Sequence, residues 1–157
     1  MNEHRVKYLV VGAYAVGVHA QPRATKDLDL DILVKPDPKN ARAVFAALAK
    51  FGAPPKGLTA ADFAEPGPFF RMGHAPVGVD VLTKIPGLEF DAAWPHRVED
   101  VVDEKTGLKA TFISADDLVA AKLASGRLQD LADAEAVTKA QRPKPSKKTP
   151  PEATPGK

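Results

Sequence analysis

The stretch RATKDLDLDIL, residues 23 to 33, limits the fold more than any other part of the chain. Drawn out as a strand, it sets Asp27, Asp29 and Asp31 on one face and Leu28, Leu30 and Ile32 on the other. One face can pack on a core, while the other is a row of carboxylates. Aspartate is a poor strand former and like charges on one face repel, so such a row needs a reason, and a divalent cation is the simplest one. Hard Mg²⁺ is usually held by one or two carboxylates together with substrate phosphates, and an Asp-x-Asp pair on a strand supplies two such ligands from one side. Alone, the pair is most often a solvated strand end. Its neighbours decide.

The chain of 157 residues has room for one domain and no second catalytic one, and its 44% hydrophobic and 27% charged residues are in the ordinary globular range. Without cysteine there are no thiolate ligands or nucleophiles, and the four histidines lack the spacing of a zinc site, so oxygen would hold any metal. The apolar run YLVVGAYAVGVHA is too short to cross a bilayer and lacks the pattern of a signal peptide. A cytoplasmic protein with no membrane partner is expected. The net charge of +2 is carried by the last 17 residues, which hold five Lys or Arg against Glu152 and leave residues 1–140 at −2. A broad phosphate-binding surface on the domain is therefore not expected.

KYLVV at 7–11 reads as a strand that stops at Gly12, and AYAVGVHA as a buried helix ending near His19. Gly12 either makes the turn or lets the N–H groups at the helix start approach a phosphate; the residues allow both. Arg23 and Lys26 are nucleotide contacts or counter-charges for the aspartates. After Pro36 and Pro38, helical spacing of Ala43, Val44, Ala47, Leu48 and Phe51 predicts an amphipathic helix stopped by Gly52. Residues 53–68 predict loop with a short helix at Ala60 to Ala64. FFRMG and VGVDVLT predict paired strands, the second carrying one acid, Asp80. A short helix near Asp91 to His96 and strands over 97–102 and 108–113 follow. Ser114 caps a helix with Asp117 three residues on, and Lys122 among its apolar residues reads as a lysine snorkelling from a core helix. Gly126 interrupts, and LQDLADAEAV restarts a helix with Asp130 and Asp133 on one face. Residues 141–157, proline-rich and basic, predict a disordered tail.

In this order the pieces resemble the nucleotidyltransferase-fold proteins of the abortive-infection (AbiEii-type) toxin family and their bacterial relatives, over residues 6 to 138. The motifs that carry the likeness are Val11-Gly12-Ala13 at the strand–helix junction and Arg-x-Thr-x-Asp-x-Asp at Arg23, Thr25, Asp27 and Asp29. They continue with the later strand acid Asp80, then Lys122 followed by Gly126, Arg127, Asp130 and Asp133. The resemblance implies an α/β fold with a mixed, mostly antiparallel sheet flanked by helices. It implies that Asp27, Asp29 and Asp80 are catalytic and hold Mg²⁺, or Mn²⁺, on a nucleoside triphosphate. Gly12, Ala13, Arg23, Thr25, Lys122 and Arg127 would contact the nucleotide, and Asp130 would orient Lys122 or Arg127. Ala13 stands where relatives have a second glycine, and Asp31 is an acid beyond the usual pair with no role assigned.

The implied activity is metal-dependent transfer of a nucleoside monophosphate from an NTP to an acceptor hydroxyl on RNA, including a tRNA end, on a protein or on a small molecule. The rival is a catalytically weak nucleotide- or partner-binding module, one half of a toxin–antitoxin-like pair with a cognate antitoxin. Relatives usually carry a helix before the first strand, and six residues before Lys7 are too few for one that covers the sheet. An apolar patch near residues 7–11 is expected, with a start codon upstream of Met1.

Overall fold

The computed structural model describes residues 1–22, 28–52, 56–74 and 76–143. After a 3-10 turn at Asn2–His4 come β1 (Tyr8–Val11), α1 (Gly12–His19), β2 (Leu28–Val34) and α2 (Pro38–Lys50). A 3-10 turn at Ala60–Ala64 precedes β3 (Phe69–His74) and β4 (Val77–Leu82). Then follow α3 (Phe90–Ala93), β5 (Val98–Asp103), β6 (Leu108–Phe112), α4 (Ala115–Ser125) and α5 (Leu128–Gln141). The expected basic tail lies outside the described residues from residue 144 on, as do Arg23, Thr25, Lys26 and Asp27.

The strands make one sheet in the order β3-β4-β2-β1-β6-β5. β1–β2, β3–β4 and β5–β6 pair antiparallel, while β1–β6 and β2–β4 pair parallel. This is the mixed, mostly antiparallel sheet that the resemblance implied. The register puts Leu9, Val11, Asp29, Asp31, Leu33 and Asp80 on one face, since Val11 faces Asp31 and Asp31 faces Asp80. Tyr8, Val10, Leu30, Ile32 and Val81 share the other. β2 is thus apolar on one side and acidic on the other, as its alternation requires.

Local chemistry fixes the helix ends. Asp37 caps α2 by accepting from Asn40 N–H at 2.7 Å, with Pro38 in the first turn, where its missing N–H has no partner to lose. The helix therefore starts at Pro38, five residues before Ala43, where the predicted apolar spacing begins. Buried Asn40 donates to the carbonyls of Lys7 and Lys35 at 3.0 Å and accepts from Lys7 N–H at 2.8 Å, tying α2 to the ends of β1 and β2. Ser114 caps α4 by accepting from Asp117 N–H, and Gly126 ends it at φ 71°. The core is closed by Leu9, Val34, Leu48, Phe63, Val81 and Ile113, each 2% exposed or less.

On the face opposite the acids, an open groove of about 500 Å³ lies over Tyr8, Val10, Leu30 and Ile32, bordered by the turn at Asn2–His4, Phe51 and Leu108. An exposed apolar patch on the strand at residues 7–11 was expected here, but Tyr8 and Val10 are buried. The turn covers part of the groove: Tyr8 donates its hydroxyl to Asn2 Oδ1, and Asn2 donates to the Lys109 carbonyl. No helix among the described residues is long and apolar enough to cross a membrane.

Candidate active site

Three acids meet on one face of the sheet. β2 brings Asp29 and Asp31, and its parallel partner β4 brings Asp80 opposite Asp31 and Gly78 opposite Asp29. Asp29 and Asp80, expected to converge though 51 residues apart, share one cation: Arg71 on β3 donates Nη2 to Asp29 at 2.9 Å and Nη1 to Asp80 at 3.1 Å. The third expected acid, Asp27, lies outside the described residues.

Arg71 was not singled out from the sequence, although a signal for it exists. β3 and β4 join through a short hairpin that pairs His74 with Val77, and counting outward pairs Arg71 with Asp80. Directly opposite residues in a hairpin point to the same side, so an arginine there must neutralise the acid.

Asp31 is half-buried, with Gly12 against its carboxylate. Gly12 has φ +70°, and a Cβ at that position would overlap Asp31 Oδ2. The tight junction between β1 and α1 thus fits only glycine, for its backbone and for its neighbour. Burial, then the charges of Asp80 and Asp29, push the Asp31 carboxyl up to about 6, against weaker pulls from Lys122 and Arg71. The folded chain therefore holds this proton more tightly than the unfolded chain. Its contribution to stability is full below pH 4 and declines as pH rises to 6 and above. Asp31→Asn is expected to stabilise the fold at pH 7.5 by about 1–2 kcal/mol, discounted for the partial exposure of the group, with no gain at pH 4. Urea unfolding at the two pH values checks this; an equal gain at both would refute it.

Below Asp31 a cavity of about 130 Å³ is lined by Val11, Gly12, Leu82, Leu118, Lys122 and Arg127, among others. Lys122 does not snorkel, and that expectation is corrected. Its side chain, on α4 and 11% exposed, donates to Asp130 at 2.9 Å and Asp133 at 3.0 Å, two α5 carboxylates only 3% and 2% exposed. The reason is the short connection at Gly126, which folds α5 back so that i, i+3 acids meet the lysine. Asp130 also accepts from Arg127 Nε at 2.7 Å, so it orients both cations. Burial alone would raise the Asp130 carboxyl, but hydrogen bonds from Arg127, Lys122 and Ser125 hold it well below the usual range. Ala13 follows Gly12 in the first turn of α1.

Among the described residues no three His, Asp or Glu side chains are disposed to hold a metal ion as they stand. The donors nevertheless suit a hard divalent cation. Asp29 and Asp80 offer carboxylate oxygens on neighbouring strands that already share one positive group, and Mg²⁺ usually completes its shell with phosphates and water rather than with a protein cage.

The chain matches one family model over residues 1–141, described as a nucleotidyltransferase of unknown function. No curated protein matches it. An acid face on a mixed sheet, a glycine at the strand–helix junction and a buried lysine beside them are the setting in which that match falls, and the chain belongs to the DUF6036 family of nucleotidyltransferases of unknown function.

Proposed function

We propose that the protein transfers a nucleoside monophosphate from an NTP to an acceptor hydroxyl, using Mg²⁺ or Mn²⁺ held by Asp29 and Asp80 together with Asp27. The observation that carries this reading is the sharing of one cation by Asp29 and Asp80 on neighbouring strands, within a nucleotidyltransferase family. A bound metal supplies charge neutralisation of the phosphates and holds them for in-line attack. The rest falls to the chain's own residues. Gly12 lets the start of α1 approach the polyphosphate, where its N–H groups and dipole favour an anion. Lys122 and Arg127 add positive charge from the cavity floor, Lys122 acting as a fixed charge because two carboxylates hold its ammonium. Arg23 and Thr25 contact the nucleotide.

The acceptor is a hydroxyl of RNA, including a tRNA end, of a protein or of a small molecule. The likeness to abortive-infection toxins favours a toxin-like role in the cytoplasm with a cognate antitoxin. Incubation with Mg²⁺, each α-labelled NTP in turn and bacterial RNA or lysate is expected to label an acceptor, and Asp80→Asn to abolish labelling. Tight nucleotide binding without labelling under any of these conditions would favour the binding-module reading instead, to which Ala13 in place of a second glycine lends support.

A further inference from the structure

Arg71 takes an unusual path. It stands on β3, an edge strand, and its guanidinium reaches over β4 to end on Asp29 of β2, two strands away, while holding Asp80 on the way. The path crosses Gly78. A Cβ there would lie 2.8 Å from Arg71 Nη2 and 2.8 Å from Asp29 Oδ1. Gly78 is not one of the positive-φ glycines, so the backbone does not require it. Glycine inside a strand weakens it relative to alanine, and what this one provides is clearance for a guanidinium lying flat on the sheet.

The hairpin gains little from the contact. β3 and β4 are already zipped by six facing pairs, and Arg71 is 41% exposed, where an ion pair contributes little to stability. The contact matters instead for what else can bind there. A hard cation taken up by Asp29 and Asp80 needs the same carboxylate oxygens that the guanidinium holds.

We propose that Arg71 is a built-in competitor of the divalent cation, which binds Asp29 and Asp80 only by displacing the guanidinium from both. This rests on the reading of those two acids as metal ligands. The long side chain is exposed enough to swing away without disturbing the core. A metal arriving alone must break the charge-assisted hydrogen bonds to both carboxylates and leave a cation nearby. A metal arriving with a polyphosphate brings oxygens that can take the guanidinium over, since arginine pairs with phosphate as well as with carboxylate. The arrangement thus favours entry of metal and nucleotide together over metal alone.

The test is Mn²⁺ binding to the full chain without nucleotide, followed by the loss of the free-ion paramagnetic resonance signal. Wild type, Arg71→Gln, Arg71→Lys and Asp80→Asn are compared, with thermal melts to show that each is folded. Arg71→Gln is expected to bind Mn²⁺ about tenfold more tightly than wild type, a change of about 1.4 kcal/mol. Arg71→Lys should fall between them, and Asp80→Asn should lose the site. Affinity in Arg71→Gln equal to or weaker than wild type, while Asp80→Asn still loses the site, would overturn the role of Arg71 and leave the metal site standing; a merely structural strap gives that result. Absence of any Asp80-dependent Mn²⁺ binding in wild type and in Arg71→Gln would overturn both.

Discussion

Replacing Lys122 by methionine is expected to lower the stability of the fold by about 3–5 kcal/mol at pH 7, the usual effect of removing one partner from a buried ion pair. Methionine fills nearly the same space, so the loss is electrostatic rather than a cavity. Asp130 and Asp133, 3% and 2% exposed, would both lose the ammonium, while Asp130 keeps its hydrogen bonds from Arg127 and Ser125 and Asp133 keeps the one from Gln129. A domain of this size has about 5–15 kcal/mol in total, so a third or more would go. The pH dependence identifies the cause. With Lys122 in place, the Asp130 carboxyl lies below its usual range, so its contribution is present above about pH 4 and lost below. Without Lys122 the Asp130 carboxyl loses one of the hydrogen bonds that hold it down, its value rises, and acid relieves part of the defect. The defect measured by urea unfolding should therefore shrink between pH 7 and pH 4. A defect of equal size at both would show that methionine disturbs packing instead.

Gly12→Ala is the second large effect. A left-handed backbone costs an L-residue about 1–2 kcal/mol, and the overlap with Asp31 adds about 1–3 kcal/mol of overpacking. The two parts can be separated. Combining Gly12→Ala with Asp31→Ala removes the overlap and keeps the backbone strain, so the double variant should recover about 1–3 kcal/mol relative to the sum of the single changes. Strict additivity in the cycle would mean that the carboxylate and the glycine do not touch. The same junction is the start of α1, so Gly12→Ala is also expected to weaken nucleotide binding more than its loss of stability accounts for.

Most of the framework was legible because it is written in local pattern. The alternation of residues 28–33 needs no partner to be read as a two-faced strand, and Ser114 with Asp117 announces the start of α4 before any tertiary contact exists. The hairpin register that pairs Arg71 with Asp80 could also have been counted from its short turn. Pairing Asp31 with Asp80 could not. β2 and β4 are parallel, joined through α2 and β3, and no turn geometry fixes the register of such a pair. The partners of Lys122 were equally hidden. Asp130 and Asp133 share a face by their spacing, but the angle at Gly126 that turns this face onto the lysine depends on how α4 and α5 pack. The apolar spacing from Ala43 to Phe51 marks only the buried stripe of α2, whereas Asp37 and Pro38 mark where the helix begins.

Arg71 and Lys122 also differ in when they become available during synthesis. Arg71 leaves the ribosome nine residues ahead of Asp80, on the adjoining strand of one hairpin, so a growing chain that pairs β4 with β2 gathers its carboxylates already supplied with a guanidinium. Lys122 follows about 40 residues later, roughly 2–8 s at ordinary elongation rates. It has no partner until Asp130 and Asp133 have followed it. During that interval Arg71 already holds Asp29 and Asp80 on the crowded acid face. An arginine placed early in the chain lets the strands close first and the helical pair arrive afterwards, onto a surface whose repulsion has already been relieved.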